Sequence, residues 1–183
     1  MLIGNTCSAA YAYGKAGIKY NHPFMWNSIY AKDFYTLITE FNNIDFKEIK
    51  AAYKLFPRDN IEKPCITIDN KVNVFYIHYS LDEVETHYLQ RVDRLTEVDT
   101  NKILFAYSMF DNINENVQYV EKLADLKNVV IYGYKPMDGL FLPNQENIYN
   151  DKLYDDELME GRIQLKHDKI SDLMVKNYKD FIL

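Results

Sequence analysis

The sequence predicts an α/β domain of three layers, in which helices cover both faces of a mainly parallel sheet and one hairpin strand is added. Strand and helix patterns alternate from Val72 to Tyr134, the order that right-handed parallel crossovers produce. The strand patterns are almost continuous apolar runs, as expected of strands that are buried on both faces. The 183 residues show no internal repeat and no long linker, so we expect residues 1–183 to form a single domain.

A short strand and a helix are predicted at the N-terminus, joined by a polar turn. An apolar run reaches Gly4, and the alanine-rich segment Ser8–Lys15 has the composition of a helix. Gly17 is the predicted C-terminal stop of that helix. Residues 20–27 follow neither the helical nor the strand period and contain a proline, which predicts a loop.

Two further helices are predicted before the strands of the middle region. The first has one apolar face at helical spacing, which consists of Phe34, Leu37, Ile38 and Phe41. The second is predicted over Phe46–Leu55.

The middle of the chain is predicted to begin with a hairpin. Residues 65–68 and 72–79 flank the turn-forming sequence Asp69-Asn70-Lys71. Ser80 and Glu83 have the spacing of a capping box, which predicts that a helix begins there. The later predicted elements are a strand over 103–107, a helix over 114–126 and a strand over 129–134.

The end of the chain is predicted to contain a helix with an apolar stripe. We interpret residues 150–183 as a helical extension that docks on the domain. A contact between two copies of the chain, giving a homodimer, is the alternative interpretation. The stripe consists of Ile170, Leu173, Met174, Tyr178 and Phe181.

The composition excludes several classes of partner. The formal net charge is −6, and Lys and Arg are scattered among acidic residues, so we expect no binding to nucleic acid. No apolar run approaches the roughly 20 residues that span a bilayer, and the N-terminus lacks the regions of a signal peptide. Two cysteines make no disulfide framework. We therefore expect a cytoplasmic protein without a membrane span.

Aromatic residues are unusually frequent, with 16 Tyr and 10 Phe. We interpret them first as core residues. Stacking on the rings of a saccharide ligand is the second interpretation.

Candidate functional residues follow the predicted strands. Ligands of open parallel sheets bind outside the carboxyl ends of the strands. These residues are Asn5, Thr6 and Cys7 after the first strand, His78 at the end of the hairpin strand, and Ser108 and Asp111 after strand 103–107.

A thiol-dependent hydrolase or group transferase is the leading functional hypothesis. Cys7 lies at the start of a predicted helix, where backbone N–H groups and the helix dipole favour a thiolate. A thiol nucleophile needs a base within hydrogen-bond reach and a third group to orient that base, for which His78 and Asp111 are the candidates. Asn5 and the backbone N–H of Cys7 are candidate oxyanion donors. The structural alternatives are an inert buried Cys7, an interior His78 and an Asp111 that caps a helix.

Binding without a thiol step is the alternative hypothesis. The helix N-terminus at Thr6–Ser8 is suited to a phosphate or carboxylate, so the chain would be a sugar-phosphate or nucleotide-sugar binding protein or transferase, with Cys7 not catalytic. Both hypotheses require a small-molecule or saccharide substrate. We expect no cofactor, because the sequence has no glycine-rich nucleotide loop. We also expect no metal, because His22, His87 and His167 lack metal-ligand spacing.

The chain resembles two groups of bacterial proteins over roughly its first 135 residues. One is a domain family labelled exopolysaccharide-biosynthesis protein, and the other is described as papain-like cysteine peptidases. The motifs that carry the resemblance are Ile3-Gly4-Asn5-Thr6-Cys7-Ser8-Ala9-Ala10-Tyr11, Gly17-Ile18, Asn21-His22-Pro23-Phe24-Met25-Trp26, Tyr76-Ile77-His78-Tyr79, Arg91-Val92-Asp93-Arg94 and Ile103-Leu104-Phe105.

The resemblance implies a site at Cys7 and His78 and a setting in capsule or exopolysaccharide gene clusters. Where the peptidase-like group has Asp after Pro-Phe, this chain has Met25, which favours the polysaccharide-associated group. The expected substrate-binding residues are Asn5, Thr6, Ser8, Asn21, His22, Trp26 and Ser108.

Overall fold

The structure, a computed structural model, describes residues 1–19, 22–57, 59–108, 117–133, 145–147 and 170–182. The strands are β1 (Leu2–Gly4), β2 (Ile49–Phe56), β3 (Ile61–Ile68), β4 (Val72–Phe75), β5 (Leu104–Ser108), β6 (Val129–Gly133) and β7 (Gln145–Asn147). The α-helices are α1 (Ser8–Lys15), α2 (Ala31–Thr39), α3 (Leu81–Thr96), α4 (Val117–Ala124), α5, which includes residues 170–177, and α6 (Lys179–Ile182). Two short 3₁₀ turns cover Phe41–Asn43 and Thr100–Lys102.

A parallel sheet and an antiparallel sheet make up the α/β fold. The parallel sheet has the order β1-β5-β6-β7, and the antiparallel sheet has the order β2-β3-β4. The predicted α/β class with a mainly parallel sheet is confirmed. The hairpin is also confirmed, but its strands form a sheet of their own together with β2.

Helices pack on both faces of the parallel sheet because successive strand residues point to opposite sides. On one face, Leu2, Leu104 and Val130 lie in a buried cluster with residues of α1 and α5. On the other face, Ile3 and Phe105 belong to a larger cluster that includes residues of α2, α3 and α4 and the inner face of the antiparallel sheet. Within the described ranges, none of the helices has both the length and the apolar composition that a membrane span requires.

The predicted helix over residues 46–55 is wrong, because this segment forms strand β2. Its sequence contains Ala51, Ala52, Lys54 and Leu55, which are good helix formers. Strand pairing overrides that local preference, because all eight residues of β2 pair with residues of β3. Strand preference depends on such neighbours more than on the segment itself.

The predicted crossover from the hairpin to strand β5 is also wrong. Strand β4 ends at Phe75, short of the expected Tyr79, and it belongs to the antiparallel sheet. Helix α3 therefore connects two different sheets, whereas β5, α4 and β6 form a parallel crossover within one sheet. The capping box that begins α3 is present, since the Glu83 carboxylate accepts from Ser80 N and Ser80 Oγ, both at 2.8 Å.

Candidate functional site

The turn from β1 into α1 is tightly packed. A Cβ atom on Gly4 would lie 2.7 Å from the Cβ of Ala9, so only glycine allows the helix to lie this close to the strand. Helix α1 begins and ends as predicted, at Ser8 and Lys15. Gly17, with φ of +69°, follows its C-terminus, where Gly17 N donates to Gly14 O and Ile18 N to Tyr13 O.

Asn5 ties together the segments that meet at the carboxyl edge of the parallel sheet. Its Oδ1 accepts from Ser108 N at 2.6 Å, and its Nδ2 donates to Ser108 O at 3.1 Å and to Ile29 O at 3.4 Å. Its backbone O also accepts from Ile29 N at 2.8 Å. Both amide hydrogens of Asn5 are therefore used within the protein, which gives this residue a positioning role, and its expected oxyanion contact stays a prediction.

Cys7 is the N-cap residue of α1, as expected, and its thiol is buried there. The side chain is 4% exposed, and Sγ donates to Asn27 O over 3.9 Å. Burial raises the thiol pKa to about 12. The expected lowering of the pKa is therefore wrong, because desolvation of the thiolate outweighs the helix dipole.

His78 lies in the turn after β4 and is exposed. Its imidazole contacts the Trp26 ring, with centroids 6.2 Å apart, and it makes no hydrogen bond to Cys7 within the described part of the chain. The prediction assumed that both residues follow strands of one parallel sheet. His78 is instead brought close to Trp26 by the bridge between Ser28 and Phe75, which links the loop after α1 to the end of β4.

Trp26 is placed in an unusual backbone conformation between these residues. Its φ is +57°, a left-handed value that bulky side chains rarely adopt. Its partly buried ring packs edge to face against Tyr11 at 5.0 Å and against His78 at 6.2 Å. We call Tyr11, Trp26 and His78 the aromatic group.

Asn27 and Ser108 are buried without partners for their side chains. Asn27 is 1% exposed and Ser108 is 2% exposed. Asn27 Oδ1, Asn27 Nδ2 and Ser108 Oγ find no hydrogen-bond partner among the described residues. Each such group costs about 1–3 kcal/mol, so a native protein keeps few of them without a reason.

Thr6 and Ser8 lie beside these groups at the start of α1. Thr6 Oγ1 accepts from Ser8 N at 3.4 Å and donates to Ser8 Oγ at 3.2 Å. Ser8 is fully buried, whereas Thr6 is partly exposed. We call the segment Asn5–Ser8 together with Asn27 and Ser108 the rim, since all belong to the carboxyl edge of the parallel sheet or to the loop bonded to it.

His22, one of the expected substrate-binding residues, lies in the core. The ring is 1% exposed and contacts the rings of Tyr13 at 5.6 Å and Phe24 at 6.4 Å. Burial lowers its pKa to about 3, with the nearby charges of the N-terminus and Arg91 acting in the same direction.

Two predicted residues, Asn21 and Asp111, lie outside the described residues. The structure thus brings Asn5, Thr6, Cys7, Ser8 and Ser108 together at the rim and places Trp26 next to it. Within the described ranges, no group of three or more His, Cys, Asp or Glu side chains is arranged to hold a metal ion.

Sequence reasoning missed Asn27 and Tyr11. Asn27 lies in a loop that has no hydrophobic periodicity, and only its burial and its contact with Cys7 identify it as a site residue. Tyr11 occurs in the first motif, but on the sequence it is one of 16 tyrosines.

Comparison with known proteins gives a family match. Residues 1–173 match the model of the family described as "Domain of unknown function (DUF1919)". No curated protein matches the sequence.

Proposed function

The chain belongs to the DUF1919 family, and from the rim we propose that it binds a sugar phosphate or nucleotide sugar and acts as a binding protein or transferase in surface-polysaccharide biosynthesis. The observation that carries this proposal is the buried amide of Asn27, with both polar atoms unpartnered among the described residues. An amide that can donate and accept is matched to the neighbouring hydroxyl groups of a sugar.

The surroundings of Asn27 support an anionic saccharide over a neutral apolar ligand. Ser108 Oγ supplies a second buried polar group at the same edge of the sheet. The N-terminus of α1 begins at Ser8, and the partial positive charge of a helix N-terminus favours a phosphate. Small-ligand sites typically combine a few such polar groups with aromatic side chains, here supplied by Trp26.

A thermal-shift screen tests this proposal. Nucleotide sugars and hexose phosphates are added to the full chain, and a ligand at about 100 times its Kd should stabilise the fold by ~2.7 kcal/mol. Asn27→Ala should abolish that stabilisation, and Cys7→Ser should retain it. Asn101→Ala, at an exposed asparagine in the Thr100–Lys102 turn, is the matched control. Equal stabilisation of wild type and Asn27→Ala would contradict the proposal.

The thiol hydrolase or transferase stays as a second candidate because one observation favours it. Cys7 and His78 both contact the Trp26–Asn27 dipeptide, the thiol through Asn27 O and the imidazole through the Trp26 ring. A local shift of this dipeptide would change the surroundings of both groups. Iodoacetamide labelling of Cys7 against pH, with and without ligand, separates the two candidates. A labelling pKa below the usual range of a thiol, raised again in His78→Ala, would favour the thiol reaction.

A further inference from the structure

We propose that the aromatic group of Tyr11, Trp26 and His78 is the subsite for the pyranose ring of the ligand, an inference that rests on the proposed function. The polar rim offers no apolar surface for the ring face of a sugar, and this subsite would provide one. Sugars present hydroxyl groups at the ring edge and apolar C–H groups on the ring face. The rim supplies partners for the hydroxyl groups, and the aromatic group supplies an apolar surface for the C–H groups.

The backbone of Trp26 is the first observation behind this inference. A tryptophan at φ of +57° is strained, at a cost of order 1–3 kcal/mol, and such residues cluster at ligand-binding sites. Glycine or asparagine at this position would avoid most of the strain. The chain instead holds its single tryptophan there.

The residues that follow Trp26 are fixed firmly enough to maintain that strain. Asn27 O accepts from the Cys7 thiol, and Ser28 exchanges two backbone hydrogen bonds with Phe75 at 2.7 and 3.0 Å. Ile29 N donates to Asn5 O at 2.8 Å. The position of the Trp26 ring is therefore set by the same hydrogen bonds that position the rim.

The ring geometry favours a sugar ring over a nucleobase. Tyr11 lies at 77° and His78 at 90° to the plane of Trp26. Perpendicular rings form a corner, whereas a flat base stacks best in a slot between parallel rings. Asn27, the next residue along the chain, carries the unpartnered amide that would bind hydroxyl groups of the same sugar.

Tryptophan fluorescence of the full chain tests the inference directly, because Trp26 is the only tryptophan. The probes are UDP-glucose, UDP-galactose and UDP-N-acetylglucosamine, compared with UDP and inorganic phosphate. Thermal shift measures binding, and selective tryptophan excitation reports on the subsite. We expect at least one sugar-bearing probe to bind and change the emission, and UDP and phosphate to leave the emission unchanged.

The outcomes separate the subsite from the proposed function. A sugar-bearing probe that stabilises the fold and leaves tryptophan emission unchanged would overturn the subsite and retain the function. If UDP changed the tryptophan emission as much as the UDP-sugar does, the aromatic group would be assigned to the base, and the inference would be overturned. If neither these probes nor the hexose phosphates of the thermal-shift screen stabilise the chain, the proposed function fails and the inference fails with it.

Variants supply an independent readout through the dissociation constant. Trp26→Ala should raise the dissociation constant of the sugar-bearing probe by about tenfold or more, as truncation of an aromatic residue buried by its ligand does. Trp26→Phe should raise it less than Trp26→Ala, since phenylalanine keeps an aromatic face. Tyr53→Ala removes an exposed aromatic residue on β2 and is the control that should leave the dissociation constant unchanged. Equal dissociation constants for wild type and Trp26→Ala would overturn the subsite.

Discussion

Polar side chains lie both at the rim of the parallel sheet and on the outer face of the antiparallel sheet. Their hydrogen bonding differs between the two regions. On the antiparallel sheet, Lys54 Nζ donates to Thr67 Oγ1 at 2.6 Å and to Asn73 Oδ1 at 2.7 Å. Asn73 in turn donates to Asp33 Oδ1 from its backbone N and from Nδ2. We call these four residues the polar network.

In these two regions the more buried polar side chains make fewer hydrogen bonds, which is the opposite of the usual relation. The polar network is only partly buried, yet its members bond to one another. Asn27 and Ser108 are almost fully buried, yet their side-chain polar atoms lack partners among the described residues. Buried polar groups normally pair first because desolvation is then most costly. This difference is what the proposed function requires, in which the network serves stability and the unpartnered groups of Asn27 and Ser108 bind the ligand.

Replacing one asparagine in each region gives the largest expected contrast. Asn73→Ala removes the partner of both Lys54 and Asp33 and should lower the free energy of unfolding by about 2–3 kcal/mol. Asn27→Ala removes two unpartnered polar atoms, which stabilises the fold, and leaves a small cavity, which destabilises it, so its net loss should be smaller than that of Asn73→Ala. Urea unfolding of both variants measures the difference. A larger loss in Asn27→Ala than in Asn73→Ala would remove the distinction between the two regions.

A pair of glycines in the β1–α1 unit tests whether the rim has a rigid backbone. Gly4→Ala places a methyl group 2.7 Å from the Ala9 Cβ, and overpacking of this kind costs about 1–3 kcal/mol. Gly14, within α1, is the matched control, because a Cβ atom added there would meet no other atom within 4 Å. Gly14→Ala should stabilise the chain by about 0.5–1 kcal/mol, because alanine is the better helix former. Similar melting temperatures for the two variants would show that the turn relaxes easily.

The sequence predicted those parts of the fold that local signals determine. The β1–α1 unit could be found because an apolar run, an alanine-rich segment and Gly17 mark its parts. Strand β2 could not, because its pairing with β3 overrides the helix preference of its own residues. The rim was found through Asn5 and Cys7, which follow β1, and through Ser108, the last residue of β5, because these two strands are parallel in the structure.

The errors at the site come from features that no local pattern records. His78 was assigned to the parallel sheet because a sequence does not show which sheet a strand joins. The Cys7 pKa was misjudged because burial depends on the loop that covers the thiol, and Asn27 belongs to that loop. The left-handed Trp26 gave no signal either, since glycine and asparagine are the residues that usually mark such a backbone.

The smallest expected effect is a pH dependence within the polar network. Burial raises the pKa of Asp33 above its ordinary value of 3.8, although hydrogen bonds from Asn73 oppose the shift. As the pH rises through 3.8, the unfolded chain loses the Asp33 proton while the folded chain still holds it. The contribution of Asp33 to stability is therefore largest at low pH and falls until the pH passes the raised folded-state pKa.

Asp33→Asn removes this titration and keeps an oxygen acceptor for Asn73. The stability of wild type relative to Asp33→Asn should therefore fall as the pH rises from about 3 towards neutrality. Urea unfolding at a series of pH values measures the trend, and Asp172→Asn, at an exposed aspartate bonded to Lys15, is the control. A difference that stays constant with pH would show that folding leaves the pKa of Asp33 unchanged. Burial would then not dominate the electrostatics of the network, and the contrast with Asn27 and Ser108, whose side chains are unpartnered among the described residues, would become sharper.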